Sequence, residues 1–240
     1  MPLRAQQADL VFKATGGKGQ ERRELLLQKI AAAQRAQQVY TLAFNRWAAL
    51  TSSAHSVELP VRGRLASGLG QDSVLEIGVT LHHTYGTPLI RGSALKGLAA
   101  HYCDRVWGAG DAGFTLDGDK HKVLFGTTDS SGFIAFHDAW ISPASLSATS
   151  QGVVLDVMTV HHGPYYMGED ETAPTDFDDP NPIYFLSVAG TFRFALECSD
   201  ASEAGRLWGN LALVLLKQAL TNWGVGAKTS SGYGRFGETS

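Results

Sequence analysis

The 240-residue chain has only two cysteines, Cys103 and Cys198, too few for a disulfide framework or a cysteine zinc site. It has no apolar run near the roughly 18 to 20 residues of a membrane helix, and its first residues lack the apolar core of a signal peptide. Apolar residues make up 44% of the chain, which excludes a disordered protein. We therefore expect a cytoplasmic globular protein with no membrane association.

The chain also lacks the surplus of lysine and arginine that a free-standing nucleic-acid binder needs, because its formal net charge is −3. The charges are unevenly distributed. Residues 1–50 hold eight basic and three acidic side chains, whereas residues 131–205 hold eleven acids and one base, Arg193. Residues 206–240 are basic again, with four bases and one acid. This segregation is typical of a protein with one face for a polyanion and another for water or a basic partner.

The first half of the chain predicts a polar arm followed by a long helix. Residues Glu21–Leu50 contain no glycine or proline, and their apolar side chains recur three or four positions apart. Alternation over Val57–Leu65 predicts a strand, and Val74–Leu81 a second extended segment. Ser93 is the expected N-cap of a helix that runs to about Trp107, with an apolar buried face: Leu95, Leu98, Tyr102 and Val106.

The second half predicts strands around one long helix. Short strands are expected at Lys122–Phe125 and Gly132–Ile141, and longer ones at Gly152–His161 and Ile183–Glu197. The two longer strands flank an acidic insertion of about 20 residues, a length typical of functional or disordered loops. A helix over Ala201–Trp223 and a short strand over Tyr233–Phe236 complete the chain.

This order of elements favours an α+β fold, a ferredoxin-like (RRM-like) sheet with helices on one face. We expect residues 1–50 to form an N-terminal arm and long helix, and residues 51–240 to form one domain with an inserted loop or hairpin.

Two segments have the composition of phosphate-binding sites. The first runs from Gly224 to Gly237, where glycines that let a ligand approach the backbone alternate with Lys228, Ser230, Ser231, Tyr233 and Arg235. The second runs from Gly86 to Gly97, where Gly92 and Ser93 open a helix whose positive end favours an anion. A plain glycine turn and an ordinary capped helix explain each segment taken alone.

The two segments together resemble the RAMP superfamily of CRISPR proteins. The matching motifs are Pro-x-Ile-x-Gly-Ser-x-Leu-Lys-Gly at 88–97 and Gly-x-Gly-x-Lys-x-x-x-Gly-x-Gly-x-Phe at 224–236. Four further stretches, at 124–126, 132–139, 156–162 and 180–186, are similar to the sixth-subunit family of the type III-B (Cmr) effector complex. One departure is Arg91, where many members carry proline.

The resemblance implies a ferredoxin-like core that binds guide RNA and its paired target RNA near the guide's 3′ end, beside neighbouring RAMP subunits. It implies no cofactor, no metal and no catalytic residue. The RNA-binding residues expected on this basis are Arg91, Gly92, Ser93, Lys96, Lys228, Ser230, Ser231, Tyr233 and Arg235. The insertion adds a possible RNA-contacting loop with His161, His162, Tyr165 and Tyr166, because aromatic rings stack on unpaired bases.

Two alternatives remain open. The first is a RAMP endoribonuclease that uses His161 or His162 as general acid or base. His82-His83 and His137-Asp138 could also supply such groups, although a structural role is expected for each. The second is a structural cap whose N-terminal helix docks on a neighbour without touching RNA.

Overall fold

The computed structural model describes residues 37–69, 79–146, 152–160 and 181–237. These residues form an antiparallel sheet with helices packed against it. The helices are α1 (Gln37–Leu50), α2 (Gly92–Tyr102), α3 (Asp119–Phe125) and α4 (Glu203–Asn222). The strands are β1 (His55–Arg62), β2 (Leu89–Ile90), β3 (Ile134–Phe136), β4 (Ala139–Ile141), β5 (Val153–Val160), β6 (Asn181–Val188), β7 (Thr191–Cys198) and β8 (Arg235–Phe236).

The main sheet has the strand order β2-β4-β7-β1-β8, with β3 also paired to β7, and its neighbours are antiparallel. In chain order, β1, α2, β3–β4, β7, α4 and β8 give the strand–helix–strand–strand–helix–strand succession of a ferredoxin-like fold. The predicted α+β, ferredoxin-like class is therefore confirmed. Strands β5 and β6 pair with each other in a separate hairpin between β4 and β7.

Alternation along β7 builds the core between the sheet and its helices. Phe192, Phe194 and Leu196 are fully buried, while Arg193 between them is partly exposed and pairs with Glu58 across the sheet at 3.9 Å. The apolar face of α4 covers this layer, with Leu215 and Leu216 in the same cluster. Burial of these side chains is the main favourable term for folding, at about 1.5–3 kcal/mol each.

Helix α1 docks on the sheet through stacked aromatic rings. Trp140 lies between the buried Ala139 and Ile141, so its side chain points from the opposite side of β4. Trp47 stacks on it with ring centroids 5.2 Å apart, and Tyr40 stacks at 5.9 Å. The Tyr40 hydroxyl also donates a 2.6 Å hydrogen bond to the Ile141 carbonyl.

The predicted long helix is thus present over residues 37–50, and residues 21–36 of that prediction lie outside the described residues. The proposed division of the chain after residue 50 stays a prediction. Four predicted elements are confirmed in β1, β5, α4 and β8. Most of the predicted segment 74–81 lies outside the described residues.

Two predicted strands are wrong. Lys122–Phe125 is the end of helix α3, because His121, Leu124 and Phe125 are buried at helical spacing. Ile183–Glu197 is two strands, since the chain reverses at Gly190, whose φ of 132° suits glycine. The segment Gly132–Ile141 also divides, into β3 and β4.

The predicted cap of α2 is also wrong. The helix begins at Gly92 with Arg91 in the cap position, so Ser93 lies inside the first turn. At its other end the helix widens into a π-helical turn over Cys103–Trp107. This widening turns Cys103 into the core and leaves Val106, predicted to be buried, 40% exposed. No helix among the residues described is long and apolar enough to cross a membrane.

His121 on α3 is an unpaired polar group inside the fold. Its ring is 3% exposed and packs on Phe125 with ring centroids 4.8 Å apart. Neither ring nitrogen has a hydrogen-bond partner. Burial therefore lowers the pKa of His121, opposed by the nearby Ala100 carbonyl and by the carboxylates of Asp104 and Asp117.

We expect His121 to make the fold sensitive to acid. Because its pKa is lower in the folded chain than in the unfolded one, stability is full above the ordinary histidine pKa of 6.5 and declines as pH falls below it. Urea unfolding at pH 5 and pH 8 measures the difference. His121→Phe should narrow that difference, whereas the exposed-site control His83→Gln should not. Equal differences in the wild type and His121→Phe would contradict this account.

Candidate nucleic-acid interface

The first turn of α2 is held by a carboxylate from the bulge between β3 and β4. Phe136 pairs with Leu196, and Trp140 pairs with Arg193. The three residues between Phe136 and Trp140 therefore oppose only two residues of β7, which defines a β-bulge. Such a bulge re-aims a side chain, and here Asp138 accepts a 2.6 Å hydrogen bond from the Gly92 N–H. A Cβ on Gly92 would overlap the Phe136 carbonyl, which explains the glycine.

This arrangement departs from the predicted phosphate site at Gly92 and Ser93. The Gly92 N–H already has an acceptor, and the Asp138 carboxylate brings negative charge to the positive end of the helix. Arg91, Ser93 and Lys96 are exposed to solvent around this turn. RNA contact at these four positions stays a prediction.

The glycine-rich C-terminal loop is a tightly packed turn. Its two arms are joined by a 2.9 Å hydrogen bond from the Val225 N–H to the Gly234 carbonyl. The loop is tied to the segment after β1 through bonds from Ala227 to Ala66 and from Gly234 to Arg64. A Cβ on Gly234 would overlap the Val225 carbonyl oxygen. The glycines therefore permit close backbone packing, as expected if the segment is a plain glycine turn.

The tip of this loop carries the polar side chains predicted to bind phosphate. Lys228 is the non-glycine residue with a positive φ, 59°, in the part of the chain that the structure describes. Its carbonyl accepts hydrogen bonds from the N–H groups of Ser231 and Tyr233, at 2.9 and 3.2 Å, which stabilise that conformation. Lys228, Ser230 and Ser231 are all exposed as a result.

Tyr233 joins the loop to the β5–β6 hairpin. Its hydroxyl donates a 2.9 Å hydrogen bond to Asp156 of β5, and its ring lies 5.9 Å from that of Phe185 on β6. Burial and the Asp156 carboxylate raise the pKa of Tyr233, so the hydroxyl stays protonated as the donor. Its predicted RNA contact stays a prediction, although the side chain already has this structural role.

The structure does place helix α2 beside the glycine-rich loop, with an open cleft of about 380 Å³ between them. Ser230 and Arg235 of the predicted set line it. The wall from α2 is Leu98, however, and Lys96 lies two residues earlier, about 200° away around the helix. The cleft therefore adjoins the second turn of α2 rather than the predicted first turn. Its lining residues are Leu98, Asn222, Trp223, Gly224, Gly226, Thr229, Ser230 and Arg235.

Two further arginines stand beside this cleft that the sequence did not single out. Arg62 on β1 lies directly opposite Arg235 on β8. Like charges in that position repel each other, and across the described ranges neither arginine forms an ion pair with a carboxylate. Arg64 follows, with one guanidinium nitrogen buried and unpaired. The alternating pattern over Val57–Leu65 predicted that Arg62 and Arg64 lie on a strand. That pattern could not predict that this segment pairs with the C-terminal strand and loop.

Two of the histidines considered as acid or base groups, His137 and His82, make structural contacts. His137 lies 3.2 Å from the Glu197 carboxylate, and the ring of His82 packs edge-on to Trp140 at 4.8 Å. No group of three or more metal-ligating side chains occurs where the structure describes the chain. The predicted loop residues His161, His162, Tyr165 and Tyr166 lie outside the described residues.

The sequence that forms the ferredoxin-like sheet and the glycine-rich C-terminal loop matches a protein-family model. The model of the RAMP superfamily matches residues 51–237, so the chain belongs to the RAMP superfamily. Within it, the chain is similar to the CRISPR system Cmr subunit Cmr6 of Pyrococcus furiosus. The identity is 29% over 264 aligned residues, covering 88% of this chain and 76% of that protein.

Two solved structures were also found to be similar. A chain of the type III-B Cmr-beta complex bound to cognate target RNA superposes with a TM-score of 0.60 at 20% identity, over 86% of this chain and 66% of that one. This comparison supports the fold. The crystal structure of Cmr6 from Pyrococcus furiosus is 29% identical, with a TM-score of 0.49 over 78% of this chain and 99% of that one.

We expect the glycines of the loop to differ in their tolerance of a side chain. Gly232 and Gly234 both have positive φ, 91° and 70°, but a Cβ on Gly232 meets nothing within 4 Å. Gly232→Ala should therefore cost about 1–2 kcal/mol of unfolding free energy from backbone strain alone, and Gly234→Ala clearly more. Urea denaturation measures both. Equal losses would argue against the close packing of Gly234 on Val225.

Asp138 should stabilise the fold through α2. Asp138→Ala leaves the buried Gly92 N–H without an acceptor, so we expect a loss of about 1–2 kcal/mol. Asp138→Asn, which retains an acceptor oxygen, should recover part of it. Asp129→Ala, at an exposed turn residue, is the control. A loss no greater than that of the control would show that Asp138 does not hold the helix.

Proposed function

We propose that this chain is a non-catalytic RNA-binding subunit of a type III-B CRISPR effector complex that acts in antiviral defence. It holds guide RNA, with its target duplex, near the guide's 3′ end, beside neighbouring RAMP subunits. Membership of the RAMP superfamily and the similarity to a Cmr subunit support this assignment. So does the fold it shares with a chain of a target-bound Cmr complex.

The observation that carries the proposal is the pair of facing arginines beside the loop. Arg62 and Arg235 lie opposite each other without a carboxylate partner in the described part of the chain, and the exposed Lys228 lies on the same loop as Arg235. Such a cluster is unfavourable alone and becomes favourable when an RNA backbone neutralises it. Contacts to phosphate do not depend on base sequence, which suits a guide of variable sequence.

The overall charge determines how this cluster works. A chain with a net charge of −3 attracts a polyanion weakly, and its basic cluster is small. The RNA is therefore held on a surface shared with neighbouring subunits. Arg91 and Lys96, exposed on α2, and Ser230 and Ser231 on the loop tip extend the surface that it would contact.

A double substitution tests the RNA contact. In the reconstituted assembly, Lys228→Ala with Arg235→Ala should weaken guide retention and lower the salt dependence of RNA binding by about 0.7 in logarithmic slope for each phosphate that is no longer neutralised. Binding titrations between low and moderate salt, with the RNA content of the purified assembly, measure both effects. Adding Arg62→Ala should reduce guide retention and the salt slope further.

The matched control is Arg105→Ala with Arg206→Ala, which removes the same charge from exposed sites. Arg206 lies in the first turn of α4, about 25 Å along the helix axis from Trp223. This control should retain guide RNA and the wild-type salt slope. Unchanged RNA content in the Lys228/Arg235 variant would refute the proposed contact and favour a structural cap, in which case RNA in the assembly would also fail to crosslink to this chain.

The ribonuclease alternative makes an opposite prediction. A subunit that holds RNA should leave it intact, whereas a nuclease with His161 or His162 as acid or base would cleave it without a metal. Incubating the isolated chain with labelled RNA in the presence of a chelator distinguishes the two. Cleavage that persists there and disappears in His161→Ala or His162→Ala would overturn the non-catalytic assignment.

A further inference from the structure

The cleft between α2 and the glycine-rich loop has a composition that phosphate binding alone does not explain. Its lining is partly apolar, with Leu98 and the half-buried indole of Trp223, and partly polar, with Thr229, Ser230 and Arg235. None of the described residues that line it carries a carboxylate. Glycines 224 and 226 form part of the wall, where a Cβ would meet the backbone of Gly234 and Ala66. Its volume of about 380 Å³ lies within the range of small-molecule sites.

Trp223 is held in place by its neighbours. It follows the last turn of α4, and its ring meets those of His101 and Tyr102 at interplanar angles of 80° and 73°, with centroids 5.2 and 5.1 Å away. Beside it, the amide nitrogen of Asn222 donates a 2.8 Å hydrogen bond to the Tyr102 hydroxyl. This bond leaves the Asn222 amide oxygen as an acceptor next to the indole.

We propose that this cleft binds the base of one unpaired nucleotide, with the base against Trp223 and Leu98 and its phosphate on Arg235 and Ser230. A nucleobase has an apolar face and a polar edge, which match the apolar and polar side chains that line the cleft. Stacking on an indole accepts any base, because every base has a π-face. The Asn222 oxygen accepts from an exocyclic amine or ring N–H at the base edge.

This inference rests on the proposed RNA contact and deepens it. The facing Arg62 and Arg235 place the sugar–phosphate backbone along the β1–β8 edge, and Arg235 also lines the cleft. A backbone bound at that edge brings one base within reach of Trp223. The cleft therefore selects single-stranded RNA at this point, since a base within a duplex cannot enter it without unpairing.

The test compares two probes of equal length on the purified full chain, oligouridine of 15 nucleotides and an abasic ribose-phosphate 15-mer. Their affinities are measured by fluorescence anisotropy at low salt. Base–aromatic stacking contributes about 1–3 kcal/mol per base, so we expect the wild type to prefer oligouridine by roughly 5- to 150-fold. Trp223→Leu should remove most of this preference, and Trp223→Phe, which retains a ring, should keep most of it.

A second variant guards against misfolding of the Trp223 variants. Leu98→Trp places a larger side chain beside the cleft without changing its charge. It should therefore lower the affinity for oligouridine and leave the affinity for the abasic oligomer unchanged. Thermal unfolding of each variant checks that the fold is retained.

The outcomes separate the two proposals. If both oligomers bind equally well to the wild type, and Lys228→Ala with Arg235→Ala weakens both, the phosphate contact stands and the base site is refuted. If the preference is present but unchanged in Trp223→Leu and Leu98→Trp, the base lies elsewhere and the inference fails. If neither oligomer binds, the base-site inference fails, and the phosphate contact is then judged from guide retention in the reconstituted assembly. Impaired subunit assembly in Leu98→Trp with unchanged RNA preference would identify a protein side chain as the occupant, which also overturns the inference.

Discussion

The pairing of β1 on both of its edges is the constraint on which the rest of the structure depends. His55 to Pro60 pair with β7, and Val61 and Arg62 pair with β8. The first pairing places Val57 and Leu59 opposite Phe194 and Phe192 in the core, where burial supplies most of the folding free energy. The second brings the C-terminal loop back to the sheet, with β8 as the edge strand beside β1. Without it, Arg62 and Arg235 would not face each other and the cleft would lose one wall.

Acidic side chains do more in this fold than solvate its surface. Asp138 accepts from the first N–H of α2, and Asp156 accepts from Tyr233, so two carboxylates from the acidic half of the chain hold the elements around the cleft. Neither of them lines the cleft itself. The acids thus position a basic surface without neutralising it, so a chain with a negative net charge still presents a basic surface.

In the glycine-rich loop, the glycines permit backbone packing and the other residues place polar side chains at the surface. Its glycines let two backbone arms approach each other and the segment after β1, while Lys228 occupies a left-handed conformation at the tip. In the function we propose, phosphate contacts come from the side chains that the turn exposes rather than from its packed N–H groups. The sequence alone left a plain turn and a phosphate site as alternatives, and the packed glycines have the geometry of a plain turn.

Local sequence pattern by itself determined much of this protein. Periodicity placed β1, β5, α4 and β8, and the order of elements predicted the ferredoxin-like fold, because spacing along the chain sets which side chains share a face. The strand predicted at Lys122–Phe125 is wrong, because a segment of four residues is too short to distinguish the helical period from the strand period. Tertiary structure alone decided the bulge that sends Asp138 to Gly92, the facing of Arg62 and Arg235, and the choice of Leu98 over Lys96 as the cleft wall. These features depend on strand register and helix rotation, which are set by contacts between residues far apart in sequence and leave no periodic signal.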